Sequence, residues 1–362
     1  MKKKLPNLDP LRAFLAISVV LFHIPVLSKT LGLPYNKSLP IFHKGHEAVW
    51  VFFCLSGFLI IRSLFEEKQS TNSISVKNFY LRRIVRIYPV YYLVMFFGFF
   101  FYDYLLPFFN IPYETNYTLA EGIALCIGFL PNVFKELYKP GGILIILWSI
   151  GIEEQFYLFI APISKYLKLT FFKLFLFSFS VVYFILYFSN CIPELKKFDF
   201  LFFYFSISGL LSILNYEKKI NFLTLPLLLR IMLYSTFLTY FFTDILVFEN
   251  KIYNHLLSAT LFPITILNLA NEDLLIIKNK VFIYLGRISY GIYMYHMIAL
   301  NVVLFLFTRV ELLQFSNTNV TIASIIICTL SLTILISSIS FHYFEAYFLS
   351  LKSRLRKTTS EQ

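Results

Sequence analysis

The chain alternates between long apolar runs and short polar segments over most of its length. A helix of about 20 predominantly apolar residues crosses a bilayer, and ten runs are candidates for such helices. They lie near residues 8–28, 46–65, 84–107, 143–163, 171–189, 200–214, 222–243, 255–270, 281–308 and 320–346. The pattern predicts an all-α fold, a polytopic transmembrane bundle of about ten spans.

One further apolar stretch, residues 119–134, is short and contains Glu121, two glycines and Pro131. If it is re-entrant, 21 of the 32 lysines and arginines fall on one side of the membrane, including both termini and the loop at 218–219. Such a bias predicts cytoplasmic termini. Re-entrant backbone is tolerated only beside protein or a water-filled cavity, so this stretch is expected to line a site.

Composition supports a membrane protein and argues against nucleic-acid binding. The chain is 58% hydrophobic and 20% aromatic, with a mean hydropathy of +0.71. The net charge of +12 comes from basic residues in short segments between apolar runs, as in cytoplasmic loops. The first run carries Arg12 and has no small-residue cleavage site, so we expect an uncleaved first helix. Neither the four cysteines nor His43, His46 and Glu47 have a spacing that defines a disulfide framework or a metal site.

Two ionisable residues, Arg12 and His23, interrupt the first apolar run eleven positions apart. Eleven residues turn a helix through about 1100°, so both side chains lie on one stripe, roughly 16 Å apart along the axis. Ionisable residues inside a membrane span are costly and usually functional. The alternative is that Arg12 snorkels to the interface and His23 is an interfacial histidine.

Four more segments combine polar groups with membrane depth. They are residues 45–60 (GHEAVWVFFCLSGFLI), 79–93 (FYLRRIVRIYPVYYL), 147–162 (LWSIGIEEQFYLFIAP) and 285–296 (LGRISYGIYMYH), the last followed by Ser340 and Glu345. The pair Ser56-Gly57 lacks the strand–turn–helix context of a nucleophile elbow. We expect it to let two helices pack closely.

Together these segments resemble the acyltransferase 3 family of integral-membrane acyltransferases, which acylate surface polysaccharides and related acceptors. The resemblance covers nearly the whole chain, with the motifs in the family's order. The matching positions are Arg12 and His23; Phe53 and Leu55 to Phe58; Arg82, Arg83, Arg86, Pro89 and Tyr91; Trp148, Ser149, Glu153, Phe156 and Tyr157; Gly286, Ser289, Tyr290, Tyr293 and His296; and Ser340 with Glu345. The family's usual residues differ at Pro10, Ala48 and Tyr347. The resemblance implies one transmembrane domain over 1–350 and a short basic cytoplasmic tail at 351–362.

The resemblance also implies a reaction: transfer of an acyl group, acetyl in the simplest case, from cytoplasmic acyl-CoA to a hydroxyl of a cell-envelope or exported glycan. Arg12 and the cluster Arg82, Arg83 and Arg86 would hold phosphates, because guanidinium groups pair bidentately with phosphate oxygens. The alternative for the cluster is ordinary positive-inside bias. No metal is implied. The expected partners are acyl-CoA, a glycan or lipid-linked saccharide, and membrane lipids, with no nucleic acid.

His23 is the candidate general base, because its ordinary pKa lies near neutrality. Glu153 can orient His23 or a substrate hydroxyl, or serve as a buried hydrogen-bond partner. The resemblance further implies substrate contacts at Trp148, Ser149, Tyr290 and His296, although His296 can equally belong to a core network. For Glu345 we expect a structural role.

The main competing hypothesis is a transporter of a polysaccharide intermediate or an acyl metabolite, in which buried Arg, His and Glu are also common. What favours the enzyme is the pairing of an arginine cluster at one membrane face with a single base three helical turns away. This arrangement fits a cofactor whose phosphates are held at the arginines while its arm reaches the base. Another membrane acyltransferase class uses a His–Asn pair, but Asn301 follows His296 without that class's surroundings. Neither the acceptor nor the acyl length follows from the sequence.

Overall fold

The computed structural model describes residues 5–217, 225–310 and 317–351, and over these ranges it contains helices and no strand. The principal helices are α1 (Leu8–Thr30), α2 (Gly45–Thr71), α3 (Val76–Phe100), α4 (Leu119–Ile127), α5 (Pro131–Tyr138), α6 (Leu147–Tyr166), α7 (Leu169–Phe188), α8 (Phe202–Tyr216), α9 (Leu227–Phe242), α10 (Lys251–Ala270), α11 (Lys280–Arg287), α12 (Ser289–Arg309) and α13 (Thr318–Ile339). The basic residues assigned to the cytoplasm at 2–4, 218–219 and 352–357 lie outside the described residues, as does the predicted tail beyond Leu351.

Eight helices in the described part of the chain are long and apolar enough to cross a membrane, which makes this a multi-pass membrane protein. The runs predicted at 200–214 and 222–243 form the shorter apolar helices α8 and α9. With 15 and 16 residues, they extend about 23 and 24 Å, less than the roughly 30 Å of a bilayer core. The all-α bundle is therefore confirmed, whereas ten crossings and cytoplasmic termini stay predictions.

The doubtful stretch at 119–134 forms two short helices, α4 and the start of α5, with a break between them. Phe129 lies in this break with a φ of 54°. The nine residues of α4 extend about 14 Å, which is too short to cross a bilayer. Its first turn is closed by a capping box between Thr118 and Glu121.

The run predicted as one span at 281–308 contains a single helix of spanning length, α12, but its first residues form the separate short helix α11. It breaks at Ile288, between α11 and α12. Gly286 allows a close approach just before this break, because a Cβ atom there would lie 1.9 Å from the backbone oxygen of Asp9. Helix α11 can therefore lie directly against the start of α1, and α12 begins afresh at Ser289.

The helices that carry the polar motifs lie at the centre of the bundle, because α1, α2, α6 and α12 are mostly buried while α7 and α13 are mostly exposed. Gly57 allows α2 to approach α8. A Cβ atom at this position would lie 2.2 Å from the backbone oxygen of Phe205. The prediction of close helix packing at Ser56-Gly57 is thus confirmed for Gly57.

Candidate active site

A cavity of about 150 Å³ lies where the first turns of α1 and α12 meet the middle of α2 and the N-terminal halves of α3 and α6. We call it the arginine cavity, because Arg12, Arg83 and Arg86 line it. Glu153 is the one acidic residue in its described lining. The excess of fixed positive charge makes this cavity suited to an anionic ligand.

The arginines of this cavity are held in different ways. Arg12 donates to the carboxylate of Asp9 at 3.0 Å, one turn earlier in α1. Since α11 packs on the backbone of Asp9 at Gly286, this ion pair is fixed at the start of the helix. The guanidinium of Arg83 lies over the ring of Tyr157, 5.7 Å from its centroid. Its Nε atom is buried without a hydrogen-bond partner among the described residues, so it has a donor left for a ligand.

Arg82, grouped with the other two in the sequence, is placed outside the cavity lining that the structure describes. It donates to Glu67, near the end of α2, at 3.1 Å. Arg82 lies one turn before Arg86 in α3, closer to the polar connection from α2, where an acidic partner is within reach. The cluster therefore divides into an ion-paired arginine and two that face the cavity.

Glu153 accepts two hydrogen bonds from residues of the same wall. Ser56 Oγ donates at 3.0 Å and the Tyr157 hydroxyl at 2.6 Å. This geometry fits a buried hydrogen-bond partner, while the role of Glu153 in orienting His23 or a substrate hydroxyl stays a prediction. Ser56 and Tyr157 were not among the predicted site residues, although Tyr157 lies four residues after Glu153, at the spacing of helix neighbours.

Tyrosines of α12 close the deep end of the cavity. The Tyr293 hydroxyl lies 2.7 Å from Ser149 Oγ and donates to the Ile146 carbonyl at 2.9 Å. The Tyr290 hydroxyl donates to the carbonyl of Ile87 at 2.7 Å. These bonds tie α12 to α6 and α3, so Ser149 and Tyr290 line the cavity in fixed positions.

Beyond Tyr293, His23 meets His296. The Nε2 atom of His296 lies 3.2 Å from Nδ1 of His23, and their ring centroids are 4.9 Å apart. His296 is fully buried, whereas His23 keeps part of its surface accessible. His296 thus contacts the candidate base, and its predicted contact with substrate stays a prediction. Nothing in the spacing of two histidines 273 residues apart could have indicated this contact.

Backbone carbonyls determine where the protons of this pair lie. Nδ1 of His23 is 3.0 Å from the oxygen of Val19, and Nδ1 of His296 is 2.5 Å from the oxygen of Tyr293. A carbonyl only accepts, so in the neutral rings both Nδ1 atoms carry hydrogen. The one hydrogen on His23 Nδ1 is then shared between the Val19 oxygen and His296 Nε2, and Nε2 of His23 carries an unprotonated lone pair.

A larger cavity, about 420 Å³, opens at the opposite end of the bundle. It lies among the ends of α7 and α9 and the starts of α2, α6, α8 and α10. We call it the lysine cavity, because Lys44, Lys196 and Lys251 line it together with two indoles, Trp50 and Trp148. Trp148 was predicted to contact substrate, but the cavity itself was not anticipated.

The two cavities are separated by a thin wall. Trp148 lines the lysine cavity and its neighbour Ser149 lines the arginine cavity. Ring contacts connect the histidine pair with both sides. On one side, the ring centroids of His296 and Tyr293 are 5.8 Å apart. On the other side, Phe22 precedes His23 in α1, and its ring centroid is 5.4 Å from that of His46 in the lysine cavity. His23 is therefore located in the wall between the two cavities.

The structure thus distributes the predicted site residues among three places. Those at the arginine cavity are Arg12, Arg83, Arg86, Ser149, Glu153 and Tyr290. His23 and His296 form the pair in the wall, Trp148 faces the lysine cavity, and Arg82 pairs with Glu67. In the described ranges, no group of three or more His, Cys, Asp and Glu side chains is arranged to hold a metal ion.

A multi-pass helical bundle with ionisable residues around two internal cavities is a membrane protein whose buried polar groups mark a functional site. The family profile described as an acyltransferase domain matches residues 5–338, so the chain belongs to this family of acyltransferases. This confirms the resemblance drawn from the motifs.

Individual relatives support the same assignment. The chain is 30% identical over 172 residues, 43% of its length, to the peptidoglycan O-acetyltransferase OatA of Listeria monocytogenes. It is 29% identical over 177 residues to a putative O-acetyltransferase of Staphylococcus aureus, covering 46% of this chain and 26% of that protein. To the putative peptidoglycan O-acetyltransferase YrhL of Bacillus subtilis it is 28% identical over 162 residues, 42% of this chain and 23% of YrhL.

The aligned part of the chain spans about a quarter of the length of the curated relatives it matches, 24% in the case of OatA. Comparison with solved structures finds no match.

Proposed function

We propose that this protein transfers an acyl group, acetyl in the simplest case, from cytoplasmic acyl-CoA to a hydroxyl of a cell-envelope glycan. The names of the relatives make peptidoglycan the first acceptor to test. The observation that carries the proposal is the position of His23. Its Nε2 lone pair is unengaged among the described residues, and it lies between cavities that open at opposite ends of the bundle.

The arginine cavity is the proposed donor site. Guanidinium forks suit the phosphates of coenzyme A, and Arg83 has a buried donor to spare. From Arg12 to His23 is eleven residues of one helix, roughly 16 Å at 1.5 Å per residue. A flexible pantetheine arm can cover this distance, so the thioester would reach the wall while the nucleotide stays at the arginines.

His23 is the proposed general base. Its Nε2 atom takes the proton of the acceptor hydroxyl as the oxygen attacks the thioester carbonyl. The tetrahedral intermediate then expels the coenzyme A thiolate, which receives the proton from His23. One C–S bond breaks, one C–O bond forms, and the histidine returns to its neutral state.

The first test is His23→Ala in the purified full chain, supplied with labelled acetyl-CoA and peptidoglycan fragments. We expect loss of alkali-labile acyl ester in the glycan, while acetyl-CoA binding stays measurable. His342→Ala is the matched control, because His342 is exposed and its Nδ1 atom contacts the carbonyl four residues earlier in the same way, at 2.8 Å. Unchanged acylation in His23→Ala would contradict the role of this histidine.

The transporter alternative predicts another result in the same preparation. Reconstituted vesicles would then accumulate labelled substrate without any acylated glycan. A second measurement is mass spectrometry of envelope glycans from cells with and without the gene. An identical acyl-ester profile in both would refute the proposed reaction.

A further inference from the structure

We infer that the lysine cavity is the acceptor site, and that it selects saccharides carrying an anionic group, a carboxylate or a phosphate. This inference rests on the proposed function and specifies its second substrate. It starts from topology: the lysine cavity and the arginine cavity lie at opposite ends of the same helices, with His23 between them. A donor bound at the arginines leaves the lysine cavity as the approach for the hydroxyl.

The described lining has three lysines and two acidic residues, Glu47 and Asp199, so its positive charges are only partly balanced from within. Asp199 is already paired with Lys135, which contacts its carboxylate at 2.6 Å. Lys196 and Lys251 form no ion pair with any described residue. Two exposed ammonium groups at the mouth of a cavity are thus free to bind an anion.

Lys44 is the strongest single indication of a ligand. The residue is 3% exposed, and its nearest described carboxylate, Glu47, is 4.0 Å away, too far for a hydrogen bond. Its ammonium group lies 4.9 Å from the centroid of the Tyr240 ring. A nearly buried ammonium with so weak a set of partners is costly unless another group completes it, and an anion in the cavity would do so.

The rest of the lining fits a sugar. Trp50 and Trp148 provide apolar ring surface beside the lysines, and His46 and Tyr240 are aromatic groups with polar edges. Saccharides combine apolar ring faces with hydroxyls, so they match a surface of this composition. Lysine, unlike arginine, binds as a flexible point charge and therefore accepts anions of different geometry.

Ligand binding at this site can be followed by fluorescence, because the two tryptophans of this chain, Trp50 and Trp148, both line the lysine cavity. Intrinsic tryptophan emission of the purified full chain therefore measures binding at the lysine cavity without any transfer reaction. The probes are N-acetylmuramic acid, N-acetylglucosamine 1-phosphate and N-acetylglucosamine. The first two add a carboxylate or a phosphate to the sugar of the third.

We expect at least one anionic sugar to change the emission at concentrations where neutral N-acetylglucosamine does not. Which anion binds tells a carboxylate source from a phosphate source. Lys196→Gln and Lys251→Gln should each weaken anion binding about three- to tenfold, as for a partly exposed charge pair. Lys29→Gln is the matched control, because Lys29 is exposed at the end of α1 and outside the lining. Equal binding of the neutral and anionic sugars, or no effect of the cavity lysines, would overturn the inference.

The inference and the proposed function fail separately. If the wild-type protein acylates glycan but none of the three sugars alters the emission, the acceptor site is elsewhere and the reaction stands. If anionic sugars bind as expected but His23→Ala leaves acylation unchanged, the cavity is a sugar site and the proposed role of His23 is wrong.

Discussion

The arginine cavity and the lysine cavity are both basic, yet they are built in different ways. At the arginine cavity the charges are held by other residues: Arg12 by Asp9, and Arg83 by the ring of Tyr157. At the lysine cavity two of the three lysines, Lys196 and Lys251, have exposed, flexible side chains. A rigid guanidinium selects one geometry, whereas a lysine tolerates several.

This difference matches the demands of the proposed reaction. Coenzyme A presents the same phosphates in every cycle, so a preformed site loses little binding energy to ordering. A glycan acceptor is variable in length and substitution, and a larger cavity with mobile charges can adapt to it. Substitutions at the arginine cavity should therefore change the kinetics of acyl-CoA alone, and substitutions at the lysine cavity should change the kinetics of the acceptor alone.

The largest effect is expected at Arg83. Arg83→Gln removes a charge and a buried donor from the arginine cavity, a loss of about 1.5–3 kcal/mol for a charged hydrogen bond. The KM for acyl-CoA should rise about 10- to 100-fold with the KM for the acceptor unchanged. Arg82→Gln is the control, since Arg82 pairs with Glu67. Similar KM values for the two variants would contradict the division of the cluster.

His296 tests the wall between the cavities. His296→Phe removes one of the two acceptors near His23 Nδ1, the one at 3.2 Å, and leaves only the Val19 carbonyl to hold the ring, so kcat should fall about tenfold because a catalytic group is misplaced. Both KM values should stay near those of the wild type. His296→Gln should recover part of kcat, because its amide oxygen can accept the same hydrogen bond. If His296 had a purely structural role, kcat would fall to the same extent in both variants.

Gly57 tests whether the two cavities share one support, because α2 lines both. Gly57→Ala would force α2 away from the Phe205 backbone, at about 1–3 kcal/mol of overpacking. Thermal unfolding in detergent should shift to lower temperature, and both substrates should bind less well. Gly142→Ala is the control, because its new methyl group meets the flexible end of the Met297 side chain, which can move aside. Equal stability of the two variants would exclude the close-packing argument.

The smallest effect is expected at Ser56. Ser56→Ala deletes one of two hydrogen bonds to Glu153, a loss of about 1 kcal/mol. The KM for acyl-CoA should rise about fivefold, and acceptor kinetics should not change. The control is Ser212→Ala on α8, where the hydroxyl bonds to the Gly209 carbonyl of its own helix. A change in acceptor KM alone would reverse the assignment of the two cavities.

The sequence was informative where periodicity and residue type act locally. Apolar runs predicted the helices, and helix geometry predicted one stripe for Arg12 and His23. It did not predict the contacts between segments that are distant in the chain. The partner of His23 comes from α12, and the close packing of α11 depends on Gly286 meeting the Asp9 backbone of α1. Nor could spacing separate Arg82 from Arg83, because the difference depends on Glu67 near the end of another helix.

The thin wall at Trp148 and Ser149 has a consequence for the membrane itself. Trp148 and Ser149 are adjacent residues of α6 that face different cavities, so the proposed reaction needs no continuous water channel through the bundle. In that reaction only an uncharged acyl group would cross the wall, and the side chains that hold the substrates would also keep ions on their own sides of the bilayer.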